Sequence, residues 1–331
     1  MEERRPGLDP AVAEVRLAVR RALTGLQPGA TVLVALSGGA DSLALAAATA
    51  FEAPKLRLGA ASLTVDHGLQ DGSTDAAAAA AAKAAALGLD ARVVRVEVGA
   101  AGGPEAAARE ARYGALAEGA RSVGAAAVLT GHTLDDQAET VLLGLARGAG
   151  ATSLQGMAEA SDLEGIPLLR PLLGVRRTTT RAACAAESLG WCEDPHNADP
   201  RFARARVRST VLPVLESELG PGIAEALART AAQLREDAEA FDEMIDETIE
   251  DIVEHAEAGI SVSAAALAAN PAALRHRIIR HVVASEFHES LTRTQTLEVA
   301  RLVTDWSGQG PIDLPGCRAR RVGGRVEFTA R

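Results

Sequence analysis

Ser37, Gly38, Gly39, Ala40, Asp41 and Ser42 follow one another in the run VLVALSGGADSLAL, where a short apolar strand pattern gives way to a helical one. Such a turn is a natural anion cradle. Gly38 and Gly39 let backbone N–H groups come close to phosphate oxygens, Ser37 and Ser42 add hydroxyl donors, and the start of the helix contributes the positive end of its dipole. Asp41 would repel phosphate by itself, so its presence makes sense if it holds Mg²⁺ against the phosphate oxygens. No Gly-Lys-Ser/Thr follows, so the turn is not a Walker A loop, and it suits gripping a pyrophosphate leaving group while an α-phosphorus is attacked.

A second constellation is GHTLDDQAET, at the end of another apolar run and the start of another helix. Asp136 and Glu139 are three apart and share a helical face. They could fix an amine, coordinate Mg²⁺, or do both; equally, acids in a first helical turn stabilise the dipole. His132 is either a satisfied loop histidine or a contact to nucleotide or activated base. Arg112 is either a surface charge or a residue aimed into the site.

These residues need a scaffold that brings strand ends together. TVLVAL, LGAASLTVDH, ARVVRVEV and AAAVLTG are short apolar runs. Each is followed by a helical stretch, beginning near Ser42, after Asp71, after Pro104 and near Leu134. Four successive strand-helix units predict an α/β fold: a parallel sheet with helices on both faces, Rossmann-like, whose ligands sit at the carboxyl ends of the strands. After Gly148 the chain reads as Gly-rich and irregular, then helical from Val175 to Leu189, then as a polar loop, then helical to about Leu219. Pro221 and Gly222 mark a boundary, giving a catalytic domain over 1–220 and, over 221–331, a linker helix with a small, mostly helical C-terminal domain. Leu227, Ala231, Leu234, Ala238, Phe241, Ile245, Ile249 and Ile252 form one apolar stripe on that linker helix. Further helices are expected around 263–288 and 293–304, and RARRVGGRVEFTA carries a Gly-Gly hairpin signal.

Composition narrows the function classes. The 331 residues suffice for two domains, and aromatics at 2% with abundant alanine favour helix over β-sandwich. No run approaches the ~18 apolar residues of a membrane span, and the N-terminus mixes acids and bases unlike a signal peptide, so the expected location is the cytoplasm. Cys184, Cys192 and Cys317 fit no Cys-x-x-Cys template; free thiols are favoured over a zinc site built from Cys184, Cys192 and His196. The net charge of −10 becomes +1 once the eleven acids between residues 236 and 257 are set aside. By contrast, residues 170–208 hold eight arginines against four acids, a credible phosphate-contacting surface.

Ser37 to Ser42 match in full the Ser-Gly-Gly-x-Asp-Ser signature of the PP-loop (N-type) ATP pyrophosphatases, which this chain therefore resembles. Within that superfamily it is similar to the tRNA(Ile)-lysidine synthase family. The likeness rests on ordered segments spanning about 31–213: Val65 to Leu69, Glu110 to Tyr113, Gly131 to Thr140, Arg147 to Gly150 running to Gly156-Met157, Arg170 to Leu173, Asp194 to Asn197, and Phe202 to Pro213. The resemblance implies adenylation of the wobble cytidine C2 oxygen in a CAU anticodon of tRNA(Ile), then attack by free lysine to give lysidine, AMP and pyrophosphate. It implies ATP and Mg²⁺ as cofactors. ATP falls to Ser37 through Ser42 and His132, metal to Asp41 and Asp136, catalysis to Asp41, Asp136, Glu139 and an inward-pointing Arg112. Arg204 and Arg208, four apart, could meet phosphate of ATP or tRNA. The family has Asn after the first of these arginines where this chain has Ala205.

Tyr113, Trp191 and Phe202 could stack an unpaired base, although burial is the commoner fate of such residues. The C-terminal piece resembles the accessory domain that holds the tRNA acceptor region; longer members continue beyond it, so a compact variant is expected, with a homodimer one option. Two alternatives stay open: another tRNA-modifying or amide-forming PP-loop enzyme, of which the thiolases generally need cysteine pairs, and a non-catalytic nucleotide-binding regulator.

Overall fold

The computed structural model describes residues 7–68, 72–99, 103–148, 150–193, 199–256 and 259–331. Leu69, Ala149 and the segment Asp194 to Asn197, with His196, lie outside them. The chain divides into two compact units, up to Leu234 and from Arg235.

The first unit is built on a six-stranded sheet of order β3-β2-β1-β4-β6-β5. Its strands are β1 (Thr31–Ala35), β2 (Gly59–Asp66), β3 (Asp90–Arg95), β4 (Ala125–Leu129), β5 (Ala160–Leu163) and β6 (Ile166–Leu169). β3, β2, β1, β4 and β6 run parallel, and β5 pairs antiparallel with β6. Val32, Leu33 and Val34 of β1 are all fully buried, the continuous apolar run of a strand covered on both faces.

One face is covered by α1 (Pro10–Leu23), α2 (Ala40–Glu52), α3 (Ser73–Ala86) and α7 (Arg177–Ala186). α1 starts at Pro10 behind Asp9, whose carboxylate accepts the Ala11 N–H at 2.8 Å, and it buries Val12, Val15, Val19 and Leu23. On the opposite face α4 (Pro104–Val123) packs Leu116, Ala117 and Ala120 against Leu33 and Leu63. α5 (Leu134–Ala146) follows β4, and α6 (Gly150–Leu154), α8 (Ala203–Arg206) and α9 (Leu212–Glu218) complete the unit; α10 (Ile223–Ile252) crosses the division between the units.

The order 3-2-1-4 means that the chain leaves β1 toward one side and returns at β4 on the other. Between the carboxyl ends of β1 and β4 the loops diverge and leave a crevice, the switch point where open α/β sheets bind ligands. Both chemistry-bearing segments, Ser37–Ser42 and Gly131–Glu139, emerge there.

The β5–β6 hairpin falls in the stretch read from sequence as irregular. Its turn places Glu164 at φ 50° and Gly165 at φ 85°, and the Asp162 carboxylate accepts the Gly165 N–H.

The second unit packs α11 (Ala264–Ala269), α12 (Ala272–Phe287) and α13 (Arg293–Thr304) with a five-stranded antiparallel sheet of order β7-β8-β11-β10-β9. The strands are β7 (Val253–Ala256), β8 (Gly259–Ser263), β9 (Ile312–Asp313), β10 (Cys317–Val322) and β11 (Arg325–Ala330). The Gly-Gly signal is a two-residue turn: Val322 pairs with Arg325, and Gly323 and Gly324 take φ 54° and 85°. The helix expected over 263–288 is two helices, because Pro271 cannot continue a hydrogen-bond ladder and forces Asn270 into extended backbone (φ −80°, ψ 146°).

Phe328 is fully buried among Ile278, Ile279, Val282 and Val283. Phe328→Ala should cost about 3–5 kcal/mol, a large share of the stability of a unit this size. Urea unfolding followed by the Trp306 fluorescence of that unit is expected to shift to lower denaturant.

Candidate active site

The phosphate loop is braced from within. Ser42 Oγ accepts the Ser37 N–H at 3.2 Å, lies 3.0 Å from Ser37 Oγ and donates to the Gly39 carbonyl at 3.0 Å. Gly38 has φ +83°, and a Cβ there would stand 3.1 Å from the Cβ of Ala80, so both conformation and space require glycine. Its carbonyl accepts the Cys192 N–H at 3.1 Å, which ties the segment after α7 to the loop. Gly39 caps α2 without a side-chain hydrogen bond. The first N–H groups of that helix therefore remain for a ligand, the arrangement that binds anions.

Gly131, at the end of β4, permits the next convergence. A Cβ on it would lie 3.0 to 3.1 Å from the backbone of Asp41 and Ser42. The two loops touch through main chain, and α5 begins close to the first turn of α2.

α5 opens with a capping box. Asp136 Oδ2 accepts both the N–H and the hydroxyl of Thr133, at 2.9 and 2.8 Å, while the Asp136 N–H reaches back to Thr133 Oγ1. Only one carboxylate oxygen is used in this way. Oδ1 turns toward Arg177 Nη2 at 2.7 Å and Arg208 Nη2 at 3.2 Å. The capping contacts thus occupy one oxygen of this residue and leave the other facing the arginines.

Glu139 is fully buried and surrounded by cations: Arg177 Nη1 at 3.1 Å, Arg208 Nε at 2.7 Å and Arg204 Nε at 3.6 Å. Arg204 also donates to Thr140 Oγ1 at 2.8 Å, and Arg208 lies in a π-helical turn, Val207–Val211. Asp41 meets Arg177 Nε at 3.3 Å and accepts a hydrogen bond from the Thr180 hydroxyl. Arg177 is thus common to Asp41, Asp136 and Glu139, and its own N–H donates to Asp135 Oδ2 at 2.7 Å.

Sequence reading does not single out Arg177. One signal was available, because Arg176 and Arg177 stand at the N-terminus of α7, where the helix dipole disfavours cations. Acids from α2 and α5 supply the compensation. Arg176 pairs with Asp135 at 3.4 Å and Glu225 at 3.2 Å.

Burial raises the Asp41 carboxyl above its ordinary value, against the opposing effects of Thr180 and Arg177. Desolvation also acts on Asp136, but Arg177 and the two Thr133 hydrogen bonds outweigh it and hold this carboxyl below the usual range. Arg177, desolvated yet faced by Asp136, Glu139 and Asp41, is pushed further toward its charged form. His132 is lowered to about 4, chiefly by burial; its Nδ1 lies 2.9 Å from Thr130 Oγ1. Arg112 stays open to water, while crowding by protein, with Arg109 and Arg204 nearby, lowers it; it is an electrostatic neighbour of His67 and His132. His67 Nδ1 is buried with no hydrogen-bond partner among the described residues.

A cavity of about 140 Å³ opens beside Glu139, lined by carboxylates (Asp135, Glu216), arginines (Arg176, Arg177, Arg208) and apolar groups (Leu212, Pro213, Ala224). No cluster of three His, Cys, Asp or Glu closes on a metal position among the described residues. Mg²⁺ bound to phosphate needs only one or two carboxylates, a requirement Asp41 and Asp136 meet. Tyr113 packs on the α4 side of the sheet, Trp191 against the α1 side, and Phe202 is exposed. Cys184 and Cys317 are buried and Cys192 is exposed.

A parallel sheet with this loop at its switch point defines a PP-loop enzyme, and the PP-loop domain description matches residues 14–215. The TilS substrate binding domain matches residues 263–327. A tRNA(Ile)-lysidine synthase of Leifsonia xyli is 58% identical over 305 residues, covering 92% of this chain and 91% of that protein. Another, from Thermobifida fusca, is 51% identical over 328 residues, covering 98% and 99%. The chain belongs to the tRNA(Ile)-lysidine synthase family. Among solved structures, the U34-tRNA thiolase NcsA of Methanococcus maripaludis aligns with a TM-score of 0.58 at 20% identity, over 68% of this chain and 80% of that one, a likeness of fold. No described helix is long and apolar enough to cross a membrane.

The depressed His132 gives a pH signature. Its folded pKa of about 4 lies below the unfolded value near 6.5, so between those limits the unfolded chain binds more protons and stability falls as pH falls. His132→Gln should flatten the dependence of Tm on pH between 4 and 6.5 relative to the parent, a difference on the order of 1–3 kcal/mol at the acid end, with little change above pH 7.

Proposed function

We propose that this chain converts the wobble cytidine of a CAU-anticodon tRNA(Ile) to lysidine, using ATP and free lysine. The observation that carries the reading is the meeting of the phosphate loop with three carboxylates at the switch point, around Arg177. The backbone N–H groups of α2 and the loop hold the leaving pyrophosphate as the C2 oxygen of cytidine attacks the α-phosphorus. Mg²⁺ held by Asp41 and Asp136 would neutralise charge on that pyrophosphate. His132, neutral at physiological pH, is suited to contact nucleotide or base without adding charge.

In the second step the lysine amine attacks C2, loses a proton and expels AMP. An alkyl ammonium near pKa 10.4 must first be deprotonated. Asp136, held below the usual carboxylate range, is a poor base and a good anchor for the ammonium. Glu139 borders the cavity whose apolar walls, Leu212, Pro213 and Ala224, match an aliphatic chain. The thiols favour amine over sulfur chemistry, since two are buried and one stands exposed alone.

For tRNA, the second unit offers an uncompensated basic surface. His276 and Arg280 on α12 are lowered by desolvation and then by neighbouring cations, Arg275, Arg277 and Arg293 among them. No carboxylate lies within ion-pair distance of Arg277, Arg280 or Arg293 among the described residues. RNA phosphates would supply the missing charge.

Pyrophosphate release from ATP, measured with and without lysine and a CAU-anticodon tRNA, tests the reaction. Dependence on both co-substrates is expected. Release requiring neither, or nucleotide binding with no release, would overturn the reading. Asp41→Ala and Asp136→Ala should each lower kcat by about 10²–10³ with the fold retained by circular dichroism.

Arg277→Glu with Arg280→Glu should raise KM for tRNA roughly tenfold or more and weaken its salt dependence, with KM for lysine unchanged. Unchanged tRNA binding would place the docking surface elsewhere.

A further inference from the structure

We propose that Arg177 is a resident counter-cation that keeps Asp41 and Asp136 closed to divalent metal until a nucleotide brings its phosphates, so that metal binding depends on ATP. The inference rests on the reading of Ser37–Ser42 as the ATP loop. It concerns this chain's own residues, and its test needs neither tRNA nor lysine.

The guanidinium occupies the space between the carboxylates that fit a metal. Nε lies 3.3 Å from Asp41 Oδ2, Nη2 lies 2.7 Å from Asp136 Oδ1, and Nη1 lies 3.1 Å from Glu139 Oε1. A planar fork whose donors are spread over three nitrogens reaches carboxylates that stand apart, whereas an ammonium gathers its donors at one point. α7 adds a second hold on the same residue, because Thr180, one turn after Arg177, donates its hydroxyl to Asp41.

Arg177 has other acceptors when those two oxygens are claimed. Glu139 remains within 3.1 Å of Nη1, and Asp135, already bound to the Arg177 N–H at 2.7 Å, also stabilises its charge. The side chain can yield Asp41 and Asp136 without leaving the acids of α5. Arg208, at 3.2 Å from Asp136 Oδ1, holds its stronger contacts on Glu139, at 2.7 and 2.9 Å. Asp41, by contrast, has Arg177 as its one ion-pair partner among the described residues.

The energetic logic follows from hydration. Mg²⁺ sheds water reluctantly and is ordinarily held by one or two carboxylates together with phosphates. With no phosphate present, it would have to dehydrate and also displace a cation already in place. A triphosphate seated on the loop adds negative charge and oxygen ligands next to Asp41, and that addition tips the competition toward metal.

Mn²⁺ binding to the nucleotide-free full-length protein, followed by the electron paramagnetic resonance signal of the free ion, measures the competition. Wild type should bind weakly, and Arg177→Gln at least about tenfold more tightly. Arg177→Lys keeps the charge but gathers its donors at one point, which loosens its hold on the separated carboxylates, so it should shift about threefold in the same direction. That variant serves as the test if Arg177→Gln does not fold. Asp41→Asn on the Arg177→Gln background should return affinity toward wild type. Adding α,β-methylene ATP should narrow the gap between wild type and Arg177→Gln. Affinities within twofold of wild type in whichever variant folds, weaker binding there, or a gap that nucleotide leaves unchanged would overturn the proposal.

Discussion

Asp41, Asp136 and Glu139 approach one another in a partly closed cleft only because cations stand among them, and Arg177 is the one all three share. Like charges that close, screened from water, would otherwise drive one another to protonate or move apart. The balance is visible residue by residue. Asp136, with Arg177 at 2.7 Å and the Thr133 hydrogen bonds, is held ionised below its usual range. Asp41 is left above it by burial, which the Thr180 hydroxyl and an Arg177 contact at 3.3 Å oppose without overcoming. Asp41, within the phosphate loop itself, is thus the less firmly compensated by charge of the two.

That arrangement depends on backbones meeting at close range. Gly131 lets the end of β4 touch the first turn of α2, and Gly119 on α4 would place a Cβ 2.5 Å from Leu63 Cδ2. Alanine serves the same end elsewhere. Ala44, Ala46 and Ala48 on α2 are almost completely buried, so neighbouring elements lie close to the helix on more than one side, with little side chain between. A scaffold drawn together in this way fixes the carboxylates through main-chain position, a more rigid support than long side chains could give.

Much of this was legible in the sequence, and the reasons are local. The strand before Ser37 and the helix after it are contiguous, so the loop's chemistry could be read from one segment. Asp136 and Glu139 share a face by their spacing alone. Arg177 could not be found in that way, because its partners lie 38 to 136 residues away on other elements. The β5–β6 hairpin was hidden by short strands of mixed polarity, Ala160–Leu163 and Ile166–Leu169, whose only strong marker is the Glu164-Gly165 turn. In the second unit the Gly323-Gly324 turn announced one hairpin, while β8, which pairs with its neighbour β7, also pairs with the distant β11, a partnership that no local pattern encodes.

Charge counted along the chain and charge in space tell different stories here. The arginines of residues 170–208 outnumber the acids nearby in sequence, yet most turn inward in the fold. Arg170 donates to the Ala158 carbonyl, Arg176 pairs with Asp135 and Glu225, Arg204 reaches Glu139, and Arg177 and Arg208 hold the site carboxylates. The second unit shows the converse: its strongly acidic helix hides the fact that Arg277, Arg280 and Arg293 repel one another with no carboxylate at ion-pair distance among the described residues. An electrostatic footprint for RNA is therefore better sought in cations without acids than in a surplus along the sequence. By that criterion, the arginines around α12 are the less compensated group, and those of the arginine-rich segment that precedes it are largely matched by acids and carbonyls.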